Sequence, residues 1–205
     1  MFHIVEPMRW VSIVQSLNLT MKASPTLSHR APILADIFVF SYPVYLLWLY
    51  IWGWVKKAIT PKVSALIIGA NVAITVIANI AIQFIFQKDR PNIVLGLADE
   101  KHKTILDKFL PNSSFPSDHA GVSMSIAIAS ILRGVTQKDK KYIWFGIIGI
   151  VFSLIMCSAR VMTAVHRPTD IIAGMCVGIA IPLLLLLPRP SKQLKKITTR
   201  IAQKI

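Results

Sequence analysis

Apolar residues in this chain fall in blocks of about 20, and short polar segments separate the blocks. Because a helix of about 20 apolar residues crosses the hydrocarbon core of a membrane, each block predicts one span. The predicted spans cover residues 33–55, 63–86, 119–132, 142–162 and 170–187. The third block is short and contains several serines, which favours a helix packed against other helices. The pattern predicts an all-α fold, a polytopic membrane helical bundle of about five transmembrane helices.

The N-terminal segment, residues 1–32, precedes these spans and has a mixed pattern. Its apolar residues recur at roughly helical spacing, while Glu6, Pro7 and Arg9 interrupt the run. Such a segment favours an amphipathic helix that lies in the membrane interface. It does not resemble a signal peptide, because no small-residue cleavage site follows a clean apolar core. Residues 33–188 then form the predicted transmembrane domain, and residues 189–205 form a basic tail.

The composition supports the membrane interpretation and argues against a nucleic-acid partner. The chain is 54% hydrophobic with a mean hydropathy of +0.60, which is too apolar for a typical soluble domain. Its net charge of +14 could suggest nucleic acid. However, the basic residues cluster between and after the apolar blocks, and no basic and aromatic surface motif accompanies them. The membrane is therefore the expected partner, and the sequence does not define an oligomeric state.

The distribution of lysine and arginine predicts the orientation of the bundle. Residues 56–62, 133–141 and 189–205 hold more than half of the 23 basic residues, with Asp139 as their only acid. Segments rich in lysine and arginine face the cytoplasm, so the C-terminus is expected there. The long polar connection 87–118 and the polar segment 157–172 then lie together on the outer face.

The segment 157–172 carries ionisable groups between two apolar blocks. Arg160 precedes His166 by six positions, and Asp170 follows His166 by four. Ionisable residues so close to membrane spans are functional candidates, although they could also anchor two helix ends at the interface. An aspartate one helical turn from a histidine can accept a hydrogen bond from one ring nitrogen. The other nitrogen is then available as a nucleophile.

Two further segments offer groups that suit an anion. Lys88 and Arg90 follow the second span, where an arginine is often only a surface anchor. Ser117 and His119 open the third span, and Ser117 is well placed as a helix N-cap. The free amides and the dipole of a helix N-terminus form a ready anion site. A lone histidine at such a position is more often structural, so the interpretation depends on the three segments together.

Together the three segments predict phosphoryl transfer. Arginine forks and backbone amides recognise phosphate oxygens. One histidine can attack phosphorus while the other protonates the leaving oxygen. No carboxylate cluster offers a two-metal site, so the residues predict chemistry without a metal or other cofactor.

These segments resemble the type 2 phosphatidic acid phosphatase superfamily of integral membrane lipid phosphatases. The family pattern has three parts: lysine, six residues, then Arg-Pro; Pro-Ser-Gly-His; and Ser-Arg, five residues, His, three residues, Asp. The chain matches this pattern at Arg90, Pro91, Pro116, Ser117, His119, Arg160, His166 and Asp170. It departs from the pattern with Gln83 at the lysine, Asp118 at the glycine and Ala159 at the serine.

The resemblance implies a role for each matching residue. His166 would be the nucleophile that forms a phosphohistidine, with Asp170 orienting it and stabilising its charge. His119 would protonate the leaving lipid oxygen and later deprotonate the attacking water. Arg90, Arg160, Ser117 and Lys88 would hold the phosphate. Asp118 would take part through the backbone amides around it.

Pro-Ser-Asp-His is similar to the form of the second motif in undecaprenyl pyrophosphate phosphatases of the superfamily. The resemblance therefore implies hydrolysis of undecaprenyl pyrophosphate to undecaprenyl phosphate. Phosphatidylglycerol phosphate, phosphatidic acid and lipid A phosphate are alternative substrates. A transporter or scaffold that binds an anionic lipid without chemistry is the alternative from another class of protein.

Overall fold

The computed structural model describes residues 2–3, 7–96 and 113–204. In these residues eight helices are present, together with two very short strands. The helices are α1 (Met8–Ala23), α2 (Pro25–Val55), α3 (Ile59–Ile85), α4 (Pro91–Val94), α5 (Asp118–Gln137), α6 (Lys140–Met162), α7 (Pro168–Leu185) and α8 (Pro188–Lys204). The strands β1 (Phe2–His3) and β2 (Phe86–Gln87) pair in parallel. The predicted all-α membrane bundle is confirmed.

Four of the described helices, α2, α3, α6 and α7, are long and apolar enough to cross a membrane. The third predicted span corresponds to α5, which is more polar and lies at the centre of the bundle against α3, α6 and α7. Its serines are buried and bond to neighbouring helices. Ser123 pairs with Ser153 of α6 at 2.6 Å, and Ser125 accepts a bond from Thr75 of α3 at 3.0 Å. The serines in this segment therefore correctly indicated a helix enclosed by other helices.

Close contact between α5 and α7 depends on two glycines of α7. A Cβ atom on Gly174 would overlap the Ser117 carbonyl oxygen, and one on Gly178 would overlap the Gly121 carbonyl oxygen. The missing side chains let the two backbones approach where α5 begins. This contact sets the position of the N-terminus of α5 relative to the start of α7.

Helix α2 begins eight residues before the predicted first span, at Pro25, directly after the N-cap Ser24. Its 31 residues extend about 46 Å, which exceeds the roughly 30 Å hydrocarbon core. The N-terminal segment before it forms α1, which packs against α2 and α6. Val14 of α1 is fully buried, and Asn18 donates a 3.0 Å bond to the Met162 carbonyl.

The predicted basic tail forms the amphipathic helix α8, which packs against α3 and α7. Its buried positions include Thr198 and Ala202. The middle of the predicted polar connection, residues 97–112, lies outside the described residues. The ends of that connection, up to Gly96 and from Ser113, both lie at the end of the bundle where α3 finishes and α5 starts.

Candidate active site

Two backbone hydrogen bonds join the three sequence segments at one end of the bundle. The Ser114 amide donates to the Lys88 carbonyl at 2.8 Å, which connects the segment after α3 with the segment before α5. The Ser117 amide donates to the Asp170 carbonyl at 3.0 Å, which connects the starts of α5 and α7. Residues that are far apart in the sequence therefore surround one site.

His166 lies in the turn between α6 and α7 and is only 4% exposed. Its Nδ1 atom lies 3.0 Å from the carbonyl oxygen of Ser114. A carbonyl oxygen can only accept a hydrogen bond, so Nδ1 carries the proton and Nε2 keeps its lone pair. This tautomer is the one that a nucleophilic Nε2 requires.

Asp170 lies beside His166 but does not accept its hydrogen bond, contrary to the simple expectation from their spacing. Asp170 Oδ2 is 3.8 Å from His166 Nδ1, which is ion-pair distance. The carboxylate has other donors: Oδ2 accepts from the Arg167 amide at 2.8 Å, and Oδ1 accepts from Lys88 Nζ at 2.6 Å. Asp170 therefore supplies negative charge next to the ring, while Ser114 sets the tautomer.

The surroundings of His166 favour its neutral form. Burial is the main cause and lowers the pKa of His166 to about 4, although the Asp170 carboxylate opposes the shift. The positive charges of Arg160 and Arg90 add to the lowering. A neutral imidazole with a free Nε2 is therefore available at physiological pH.

The side chains of His119 and Arg160 both contact Asp36, which the sequence interpretation did not select. Asp36 of α2 places Oδ1 3.4 Å from His119 Nε2, and the same oxygen accepts a short bond from Arg160 Nη1. Asp36 is the only acid in α2, and a lone acid within an apolar helix is a signal that could have found it.

Three buried donors at this end of the bundle have no hydrogen-bond partner among the described residues. They are Ser117 Oγ, Arg160 Nε and Arg167 Nε. Ser117 occupies the N-cap position of α5 as predicted, but its hydroxyl makes no capping bond. Unpaired buried donors are costly, so a ligand with several acceptor oxygens would suit them. Arg167 was not predicted, although it adjoins His166 in the sequence.

Asp118 and Lys88 were expected at the phosphate, and the structure directs both side chains to protein partners. Asp118 accepts hydrogen bonds from Asn79 at 3.0 Å and Gln83 at 3.1 Å, so its carboxylate faces α3. Lys88 Nζ bonds to Asp170 Oδ1 and to Thr169 Oγ1 at 2.8 Å. Lys88 therefore pairs with the opposite charge of Asp170, and Asp118 pairs with two side-chain amides. Because the Asp118 carboxylate faces these amides, a negative residue is tolerated beside an anion site.

No group of three histidine, cysteine, aspartate or glutamate side chains comes together in a metal-binding arrangement within residues 2–3, 7–96 and 113–204. The positive charge around His166 comes from arginine and lysine side chains. Such groups can stabilise a phosphate directly.

The sequence model of the PAP2 superfamily matches residues 64–192, and the chain belongs to that family. Membership of this family and the four apolar helices among the described residues define the chain as an integral membrane hydrolase that acts on lipid phosphates.

Two relatives align over most of the chain. YbjG of Escherichia coli strain K12, described as a candidate undecaprenyl-diphosphatase, is 24% identical over 82% of this chain and 76% of its own length. BcrC of Bacillus subtilis strain 168, an undecaprenyl-diphosphatase, is 26% identical over 80% of this chain and 79% of its own length. No solved structure matches the chain significantly.

Proposed function

We propose that this protein hydrolyses undecaprenyl pyrophosphate to undecaprenyl phosphate through a phosphohistidine on His166. The observation that supports the reaction most directly is the tautomer of His166, because its Nδ1 is bonded to the Ser114 carbonyl and its Nε2 is nucleophilic. The two relatives described as undecaprenyl-diphosphatases support the choice of substrate.

In the proposed first step, His166 Nε2 attacks the terminal phosphorus and the bond from that phosphorus to the bridging oxygen breaks. His119 gives its proton to the bridging oxygen, which leaves as part of undecaprenyl phosphate. Arg160 Nε, Arg167 Nε and Ser117 Oγ supply donors to the phosphoryl oxygens, and the half-buried Arg90 adds positive charge. The Asp170 carboxylate offsets the charge that His166 gains.

In the second step, His119 takes a proton from water and the resulting hydroxide attacks the phosphohistidine. The bond between phosphorus and Nε2 breaks, inorganic phosphate leaves and His166 returns to its neutral form. The protein supplies all the cations in this scheme, so no metal ion takes part.

The test is phosphate release by the purified protein in detergent with excess EDTA. Undecaprenyl pyrophosphate, phosphatidylglycerol phosphate and phosphatidic acid are compared at equal concentration. We expect the first lipid to be hydrolysed fastest and His166→Ala to abolish release. His29→Ala, which alters an exposed histidine of α2, is the matched control and should retain full activity.

The other outcomes identify the alternatives. Faster release from a glycerophospholipid would change the proposed substrate but keep the reaction. Release that EDTA abolishes would contradict the metal-free mechanism. Binding of lipids by a folded protein that releases no phosphate would favour a transporter or scaffold.

We also propose that the active site faces the outside of the cytoplasmic membrane, with α8 on the cytoplasmic side. The excess of lysine and arginine at the opposite end of the bundle supports this orientation. In a variant with both native cysteines replaced by serine, a cysteine at Val94 should react with an impermeant thiol reagent in intact cells. A cysteine at Lys138 should react only after lysis, and the reverse result would invert the proposed topology.

A further inference from the structure

Asp36 connects two residues of the site through one carboxylate oxygen. Oδ1 contacts Arg160 Nη1 and lies 3.4 Å from His119 Nε2. The adjacent Ala35 carbonyl also accepts from Arg160 Nη1, at 3.2 Å. One turn of α2 therefore supplies both acceptors for the Nη1 atom of Arg160. Helix α2 lies outside residues 64–192, the part of the chain that matches the family model.

The ion pair between Asp36 and Arg160 joins an exposed group to a buried one. The Asp36 side chain is 62% exposed, whereas the Arg160 side chain is 8% exposed. A buried guanidinium needs a counterion, so Asp36 contributes to stability as well as to the geometry of the site. A lone acid in an otherwise apolar helix nevertheless carries a cost, and its two partners are both residues of the proposed site.

We propose that Asp36 is a positioning residue of the active site, which orients the imidazole of His119 and holds the guanidinium of Arg160. This proposal rests on the proposed function. With Asp36 on Nε2, the nitrogen of His119 that exchanges a proton with the leaving oxygen and with water is Nδ1. The charged groups that face His119 are Asp36 of α2, Arg160 of α6 and Asp118 of its own helix. Burial of His119 disfavours the protonated imidazole that a general acid must provide, Asp36 opposes this effect and Arg160 adds to it.

The test compares Asp36→Asn and Asp36→Glu with the wild type in the phosphate-release assay with EDTA. For each protein, kcat is measured across the acid and alkaline limbs of its pH profile. We expect Asp36→Asn to lower kcat by about tenfold to a hundredfold, because general acid catalysis of this kind contributes about 10²–10⁴-fold. The alkaline limb should move to lower pH, since the neutral amide no longer stabilises protonated His119. Asp36→Glu should recover much of the wild-type kcat and move the alkaline limb back toward its wild-type pH.

Ser41→Ala, which removes an exposed hydroxyl of the same helix, is the matched control. An Asp36→Asn protein with wild-type kcat and an unchanged alkaline limb would overturn the proposal and leave the proposed function intact. A loss of rate that Asp36→Glu does not recover, with no movement of the limb, would also overturn it. A wild-type protein that releases no phosphate would overturn both proposals together.

A second inference comes from the opposite end of the bundle. A cavity of about 210 Å³ lies among α3, α5, α7 and α8, and most of its wall is apolar. Arg133 of α5 lines it and is only 9% exposed. Its Nε and Nη2 atoms share one acceptor, Ser64 Oγ, at 3.3 and 2.9 Å.

The charge in this cavity has no counterion within the part of the chain that the structure describes. Arg133 has no acidic partner there, and none of the residues that line the cavity is acidic. Lys192 and Lys195 of α8 line the same cavity and add positive charge. A buried charge without a counterion is costly, which favours an anionic occupant.

We infer that this cavity binds an anionic phospholipid from the leaflet opposite the active site. The lipid phosphate would accept hydrogen bonds from Arg133, with Lys192 and Lys195 beside it. The apolar wall, including Ile67, Leu132 and Leu185, would cover part of an acyl chain. A soluble anion would leave that wall without a partner, so a lipid fits the cavity better.

The test is native mass spectrometry of the purified protein in neutral detergent, titrated with short-chain phosphatidylglycerol or phosphatidylcholine. We expect selective binding of phosphatidylglycerol that Arg133→Gln weakens by about tenfold or more, the usual result of losing a charge-assisted hydrogen bond. The double variant Lys192→Gln and Lys195→Gln changes exposed residues and should also weaken binding, which keeps the test valid if Arg133→Gln does not fold.

Arg160→Gln, altered at the other end of the bundle, should bind phosphatidylglycerol like the wild type. Loss of binding in that variant would place the lipid at the active site and overturn the inference. Equal binding of both lipids would overturn it as well. Displacement of the lipid by inorganic phosphate alone would assign the cavity to a soluble anion instead.

Discussion

Gln83 Nε2 lies 3.1 Å from Asp118 Oδ2, so two residues that depart from the family pattern hydrogen-bond to each other. Gln83 stands where the pattern has lysine, and Asp118 stands where it has glycine. Gln83 also donates to the Pro116 carbonyl at 3.2 Å, and Asn79 donates to the other oxygen of Asp118 at 3.0 Å. The pair connects α3 to the first turn of α5, while the nearby lysine, Lys88, pairs with Asp170.

This pair predicts a coupled effect on stability. Gln83→Ala and Asp118→Ala should each destabilise the protein, because each removes hydrogen bonds that connect α3 to the start of α5. The double variant should lose less than the sum of the two, by a coupling energy of about 0.5–3 kcal/mol in the free energy of unfolding. Denaturant unfolding in detergent measures it, and Gln83→Ala combined with the exposed Thr136→Ala should be additive. Additive effects for Gln83 and Asp118 would mean that the hydrogen bond contributes nothing.

The pH dependence should reflect the surroundings of His166. Burial lowers the pKa of His166 to about 4 from its ordinary value of 6.5, so the nucleophile stays neutral until the pH falls through about 4. We therefore expect the part of the acid limb of kcat/KM that comes from His166 to lie near pH 4. The measurement is kcat/KM against pH with EDTA present, since this ratio reports the ionisation of groups in the free enzyme. An acid limb at the ordinary histidine value would contradict this expectation.

Ser117 should matter for phosphate recognition more than for folding. Its buried hydroxyl has no hydrogen-bond partner among the described residues, so Ser117→Ala removes no bond within the fold. We expect kcat/KM to fall by about tenfold, a typical loss for one donor to a charged group, and the unfolding midpoint to rise or stay unchanged. Ser158→Ala, at an exposed position of α6, should change neither quantity. A large fall in the midpoint with normal kcat/KM would assign Ser117 to the fold instead.

The close contact of α5 and α7 predicts different results for two glycine variants. Gly174→Ala should destabilise the protein by about 1–3 kcal/mol, because the new methyl group overlaps the Ser117 carbonyl oxygen. Gly69→Ala has open space around the new methyl group and should be neutral or stabilising by up to about 1 kcal/mol. Thermal unfolding in detergent compares them. Equal midpoints would show that α7 can shift away from α5 at little cost.

Hydropathy and short-range spacing were enough to predict the bundle and most of its candidate site. The apolar blocks predicted α2, α3, α6 and α7, and the serines placed α5 inside the bundle. These features depend on transfer from water to lipid and on the helical repeat, which are properties of neighbouring residues. The same holds for the placement of His166 and Asp170 next to each other, since a single turn separates them.

The partners of the site residues could not be predicted in this way. His166 bonds to the Ser114 carbonyl, 52 positions away, and Arg160 bonds to Asp36, 124 positions away. Asp118 faces α3 rather than the phosphate site because Asn79 and Gln83 lie within reach there. Which donor meets which acceptor depends on how the helices pack and where loops return, and no local pattern in the chain encodes those distances. Tertiary packing therefore decides the tautomer of the nucleophile and the charge around it.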